Sequence, residues 1–140
     1  MLHDISGAMA GSVNDMGYVI GFRDSSAKLV TTIMQVASSV PGVYSHKWTS
    51  STSYSALYTS YTGIGTGDIV WKNPAWLRAD YDGTNIVTYY SIDGNHWHQI
   101  DTRALTNFLG AGTPDFFWGA YVNGSGVNIA LISYKETALP

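Results

Sequence analysis

The 140-residue chain has no cysteine, a single glutamate and few charges of any kind. Without cysteine it forms neither disulfides nor thiolate metal sites. The redox compartment stays open, because such a chain tolerates either state. Charged residues make up 12% of it, against about 25% in an average domain. Long exposed helices need Glu, Lys and Arg on their wet face, so they are not expected. Seven Lys plus Arg stand against ten acids, for a net charge of −3, and no basic run occurs. Nucleic acid is therefore not expected as the main partner, since phosphate binding needs clustered positive charge. No apolar run approaches the roughly 18 residues of a membrane span. The opening "MLHDISGAMAGS" has neither a basic n-region nor a long apolar h-region, so no signal peptide is expected there. Whether Met1 begins a small protein or a domain cut from a longer one stays open.

Ser, Thr, Gly, Asn and Tyr carry the polarity instead. Turn signals recur about every ten residues, among them "DSSAK" at 24–28, "SSVPG" at 38–42, "DGTN" at 82–85, "DGN" at 93–95 and "NGSG" at 123–126. Between them lie short runs rich in Val, Ile, Thr, Tyr and Trp. That spacing predicts an all-β sandwich or barrel in one domain, 1–140. Strands are expected over 18–22, 28–35, 43–48, 54–61, 68–72, 76–81, 85–91, 96–102, 116–122 and 127–135. Two segments also fit helical spacing. One holds Tyr54, Leu57, Tyr58 and Tyr61. The other is "DTRALTNFLGAG", where Thr102 would cap a turn that Gly110 ends.

The most regular stretch is "WLRADYDGTNIVTYYSIDGNHW", Trp76 to Trp97. Its two Asp-Gly pairs are hairpin signals, because glycine accepts the positive φ of tight turns. They predict a three-strand antiparallel meander. Alternation puts Leu77, Ala79 and Tyr81 on one face, Trp76, Arg78 and Asp80 on the other. Charge on Arg78 and Asp80 marks their face as the wet one, so Leu77, Ala79, Ile86 and Tyr90 are expected in the core. Trp97 is expected to fold inward after the second turn.

This stretch closely resembles concanavalin A-like lectin/glucanase domains, the laminin-G-like jelly-roll sandwiches, in which a "WLR" strand, a "DGT" turn, a "YYS" strand and a "DG" turn precede a tryptophan. "GYVIGFRDSSAKLV" resembles an early strand of that family, with Gly21, Arg23 and Asp24 at matching positions. "FFWGAYVNGSGVNIALISYKET" resembles its closing hairpin. The resemblance covers roughly 18 to 136 and implies an antiparallel jelly-roll β-sandwich. It leaves function open, because this sandwich carries lectins, glycanases and adhesion modules. Ser91, Asp93, Gly94 and Trp97 also look like an Asp-box one residue too short, so that identity is not carried over. The composition is similar to that of C-terminal domains of bacteriophage tail fibres and tailspikes. That analogy implies a place on the virion tail, outside the cell, and a homotrimeric assembly.

An ordinary glycosidase needs two carboxyls roughly 5–9.5 Å apart. Glucanases of the resembled family carry paired glutamates on one strand, and here Glu136 stands alone. Asp15, Asp24, Asp82, Asp93 and Asp115 fall in turn signals, where aspartate normally caps backbone N–H groups. Asp80 falls within a strand, where an ion pair with Arg78 is its expected fate. No enzyme is expected. His96 and His98 would share a strand face, but zinc needs a third ligand. Calcium could draw on Asp24, Asp93, Asn95 and Asp115, yet turn capping accounts for each, so no cofactor is expected.

The functional hint is aromatic. Rings make up 14% of the chain, and sugars stack their C–H faces on such rings. The plain alternatives are core filling and a subunit interface. In "SHKWTSSTSYSALYTSYT" Ser and Thr surround each ring, which suits exposure. Candidate carbohydrate-binding residues are therefore Trp48, Tyr54, Tyr58 and Tyr61, joined by Trp76, Arg78, Asp80 and Tyr89 from the outer face of the meander. The expected partner is a cell-surface glycan. A fibre cap or trimerisation module is the other reading.

Overall fold

A computed structural model describes residues 2–10, 16–37, 40–61, 75–122 and 128–137. Over 2–10, 16, 36–37, 40–41, 61, 75, 122 and 128–137 only backbone and register are described. Ten strands follow in order: β1 (Leu2–Ala10), β2 (Met16–Arg23), β3 (Leu29–Ala37), β4 (Val40–Ser50), β5 (Ser53–Tyr61), β6 (Ala75–Tyr81), β7 (Asn85–Ser91), β8 (His98–Ala104), β9 (Asp115–Val122) and β10 (Asn128–Thr137). They form two five-stranded sheets, ordered β10-β1-β6-β7-β8 and β5-β4-β3-β2-β9. Every pairing is antiparallel. This is the antiparallel lectin-like jelly-roll sandwich that the sequence predicts. Among the described residues no helix is long and apolar enough to cross a membrane.

The core lies between the sheets. Tyr18, Ile20, Phe22, Val30, Met34 and Val43 face Leu77, Ala79, Ile86 and Tyr90, and Leu105 and Leu109 close one end. Alternation thus places the meander's core face as expected. The expected strands overlap the observed ones, except that 68–72 lies outside the described residues. β1 was not expected. "LHDISGAMA" has little β-branched or aromatic character. It is nevertheless flanked by β6 and β10, whose ladders hold it as an interior strand.

Three local details differ from expectation. β8 begins at His98, not His96. The Asp93 carboxylate accepts N–H bonds from Asn95 and His96, which prolongs the turn. The helical option in "DTRALTNFLGAG" reduces to a 3₁₀ turn over Leu105–Asn107, capped by no side chain, so Thr102 is not its cap. The Tyr54–Tyr61 segment is a strand with irregular register against β4. Those bulges set Tyr54 and Leu57, opposite Trp48 and His46, on one face. The resulting spacing of three imitates a helix.

Candidate functional site

The second sheet is apolar on both faces. Along β3, Val30 and Met34 enter the core, while Leu29, Thr31 and Ile33 point away from it, level with Trp48, His46 and Tyr44 of β4. Ile33 is only 1% exposed. The sheet's twist explains this burial. Trp48 on β4 and Tyr121 on β9 start at opposite corners of the sheet, with β3 and β2 between them. Their ring centres are nonetheless 5.6 Å apart. The corners curl together over a hollow of about 160 Å³, lined by Val19, Leu29, Thr31, Ile33, Trp48, Ser51, Phe117, Gly119, Ala120 and Tyr121. A cavity of about 150 Å³ with apolar walls admits a ring the size of benzene.

Trp48 is the hinge of the aromatic rim. It meets Tyr54 edge-on at 5.2 Å and His46 at 6.0 Å. Its indole N–H donates to the Thr31 hydroxyl at 3.1 Å, and that hydroxyl is directed at the His46 carbonyl at 3.4 Å. Tyr54 is 52% exposed and extends the rim outward. No charged side chain lines the hollow. His46 beneath the rim is held neutral, because burial pulls its imidazole down to about 4. Its Nδ1 and the Gln35 Oε1 are buried without a hydrogen-bond partner. A Cβ on Gly119 would meet nothing within 4 Å, so its missing side chain is part of the hollow's volume.

The candidates from the sequence separate onto three surfaces. Trp48 lines the hollow, and Tyr54 packs on its outer side. Tyr58 lies on the opposite side of the same sheet. There Arg103 stacks on its ring with the guanidinium carbon 3.9 Å from the centre, Lys47 approaches to 5.3 Å, and its hydroxyl donates to Asn107 Oδ1 at 2.8 Å. It packs against the core edge and is not part of the rim. The side chain of Tyr61 lies outside the described residues. Trp76, Arg78, Asp80 and Tyr89 sit on the other sheet, facing away from the core.

This third surface is not the open wet face expected. Asp80 is 8% exposed. Arg78 pairs with it through Nε at 3.0 Å and Nη2 at 2.9 Å, as the sequence suggested. The guanidinium carbon then lies 5.0 Å from the Tyr89 ring centre and 5.6 Å from that of Trp97. Trp97 therefore turns outward onto Arg78, not inward. A Cβ on Gly94 would fall 2.9 Å from the Trp76 indole nitrogen, so the turn lies against that ring. Glycine suits this position twice, since its φ is +76°. The turn folds back onto Trp76 through Gly94 and onto Arg78 through Trp97, which makes these two supports for the β7–β8 connection.

Among the described residues the aspartates are engaged structurally. Burial would raise the Asp24 carboxyl, but N–H bonds from Gly110, Lys28 and Ser26 pull it below its usual range. Asp82 accepts from Thr84 and Asn85. Asp93 accepts from Ser91 Oγ and from the N–H groups of Asn95 and His96. Asp101 pairs with Arg103, and Asp115 pairs with Arg23 and does not cap its turn. Asp15 and the side chain of Glu136 lie outside the described residues. His96 and His98 do not share a face: His96 sits in the turn, 2.6 Å from Asp93, whereas His98 stacks on Tyr90 at 5.1 Å. Among the described residues no three His or carboxylate groups gather as a metal site.

The sequence reading missed Val19, Leu29, Ile33, Phe117, Gly119 and Tyr121. A usable signal was "KLVTTIMQV", apolar at consecutive positions and hence on both faces of a strand.

No family model and no curated protein matches the chain. Solved structures do. The chain is similar to the GH43 protein BlXynB (K247S mutant) from Bacillus licheniformis, with a TM-score of 0.67 and 12% identity over 96% of its length. It spans 26% of that protein. It is also similar to ligand-free congerin I, with a TM-score of 0.55 and 7% identity, covering 96% of this chain and 90% of that one. At these identities the likeness is one of fold.

Proposed function

We propose that the chain is a non-catalytic carbohydrate-binding domain, and that the hollow beneath Trp48 and Tyr121 holds the sugar. One observation carries this reading: a ring-sized hollow, walled by Trp48, Phe117 and Tyr121, that no charged side chain enters. A sugar's C–H face gains from such walls, while its other face keeps its hydroxyls in water. The neighbouring folds support the class, since one belongs to a glycosidase and the other to a lectin. Among the described residues the aspartates are engaged in turns and ion pairs, which favours binding over hydrolysis. The glycan is one on a host cell surface, and the domain sits at the exposed end of a bacteriophage tail fibre or tailspike. A glycan array and adsorption to host cells test the reading, with Trp48→Ala and Tyr121→Ala expected to abolish the signal. No hit on the array and no adsorption would overturn it.

A second reading has its own observation. β5 and β9 are the two edges of one sheet, and they expose Tyr54, Leu57 and Trp118. Exposed apolar edge strands suit contact with further copies, as in a trimeric fibre cap. Mass measurement in solution decides it: a strict monomer at high concentration removes the cap.

A further inference from the structure

The hollow has walls but almost no hydrogen-bonding floor. Val19, Leu29 and Ile33 supply aliphatic surface, and Gly119 supplies open space. The Thr31 hydroxyl is already occupied, since it accepts from the Trp48 indole and points at the His46 carbonyl. A sugar hydroxyl pressed against this floor would lose water and gain nothing in return. A methyl group there would lose nothing and gain burial. A charged substituent would be worse placed than a hydroxyl, for no side chain of the lining carries an opposite charge.

We infer that the hollow selects neutral sugars bearing a methyl group, and that this methyl enters first, between Val19, Ile33 and Gly119, with the ring stacked under Trp48. The shared chemistry is a methyl on an uncharged pyranose, either the C-methyl of a 6-deoxyhexose or the acetyl methyl of an N-acetylhexosamine. The inference rests on the glycan-binding reading and sharpens it.

The test pairs each probe with its counterpart lacking the methyl: L-rhamnose against L-mannose, and N-acetylglucosamine against N-formylglucosamine. D-glucuronate serves as the charged comparator. Affinity and methyl chemical shifts are followed by NMR for the wild type and for Gly119→Leu, whose side chain would fill the hollow. The expected result is at least one methyl-bearing sugar favoured about tenfold over its counterpart, with shifts at Val19 and Ile33. Gly119→Leu should abolish the preference while retaining the wild-type pattern of dispersed methyl signals elsewhere. The pair that responds identifies which methyl is read. Sugars that bind with shifts at Trp48 and Tyr121 but show no preference, or glucuronate binding equally well, would overturn the inference and leave the glycan reading standing. Failure of all these sugars, together with an empty glycan array, would overturn both.

Discussion

Trp48 on β4 donates its indole N–H to the hydroxyl of Thr31 on β3 over 3.1 Å. One bond thus fixes the aromatic rim to the floor of the hollow. Thr31→Val keeps the shape and removes the acceptor, leaving a half-buried donor unpaired. The expected loss is about 1 kcal/mol, seen as a fall in Tm of roughly 3–5 °C. Sugar binding should weaken as the ring loosens. Thr31→Ser, which keeps the bond, should stay near the wild type in both measurements.

Two glycines on this sheet should respond in opposite ways. A Cβ on Gly21 would stand 2.1 Å from the Val30 carbonyl oxygen, where only backbone could yield. Gly21→Ala should cost roughly 3 kcal/mol or more in a urea melt. Gly119→Ala meets empty space, so it should change stability by less than about 0.5 kcal/mol. Equal losses would show that the close approach of β2 to β3 is misjudged.

His46 makes the fold sensitive to acid. The native imidazole stays neutral down to about 4, whereas in the unfolded chain it takes a proton near 6.5. Below that point the unfolded state binds a proton that the native state refuses, so stability falls with pH between about 6.5 and 4. The full loss from this group is roughly 3 kcal/mol. Urea melts at pH 7, 5.5 and 4 should show it, with a flatter profile for His46→Phe, which keeps a ring and removes the unpaired nitrogen. An equally steep variant would assign the loss to other groups.

His96, in the turn after β7, titrates in the opposite sense. Hydrogen bonding to Asp93 raises the pKa of His96, and the N–H and imidazole bonds hold Asp93 below its usual range. The contribution of His96 is present below its unfolded pKa and is lost as pH rises through the folded one. That of Asp93 is present above its unfolded pKa and is lost as pH falls through the folded one. In an NMR titration His96 should therefore lose its proton at higher pH than an ordinary histidine, and Asp93→Asn should return it to the ordinary value.

Arg78→Ala separates support from site. It leaves Asp80, 8% exposed, without its cation, at an expected cost of roughly 3 kcal/mol. Sugar affinity at a temperature where the variant stays folded should remain within about twofold. A selective loss of binding would return Trp76–Tyr89 to the candidate site.

Much of the fold is local information. Asp82-Gly83 and Asp93-Gly94 specify their turns, and strict alternation then assigns Leu77, Ala79, Ile86 and Tyr90 to the core without reference to anything distant. The Arg78–Asp80 pair was legible for the same reason: two residues apart on a strand share a face. β1 was not legible, because its residues have little intrinsic preference and the ladders of β6 and β10 hold it in place. Nor was the fate of Trp97, which follows from the turn's path back over the sheet.

The site divides along the same line. The sequence by itself determined that this is an all-β, charge-poor chain with rings to spare, that its regular meander has one core face and one outer face, and that Trp48 and Tyr54 are among the rings worth testing. Only the tertiary structure decided which rings act together. Trp48 and Tyr121 are more than seventy residues apart, and what joins them is the curl of a twisted five-stranded sheet. That curl depends on every strand in it, so no local pattern records it. The same dependence sent Tyr58 to the core edge, although Thr and Ser follow it as they follow Trp48, and set Trp76 beneath a turn.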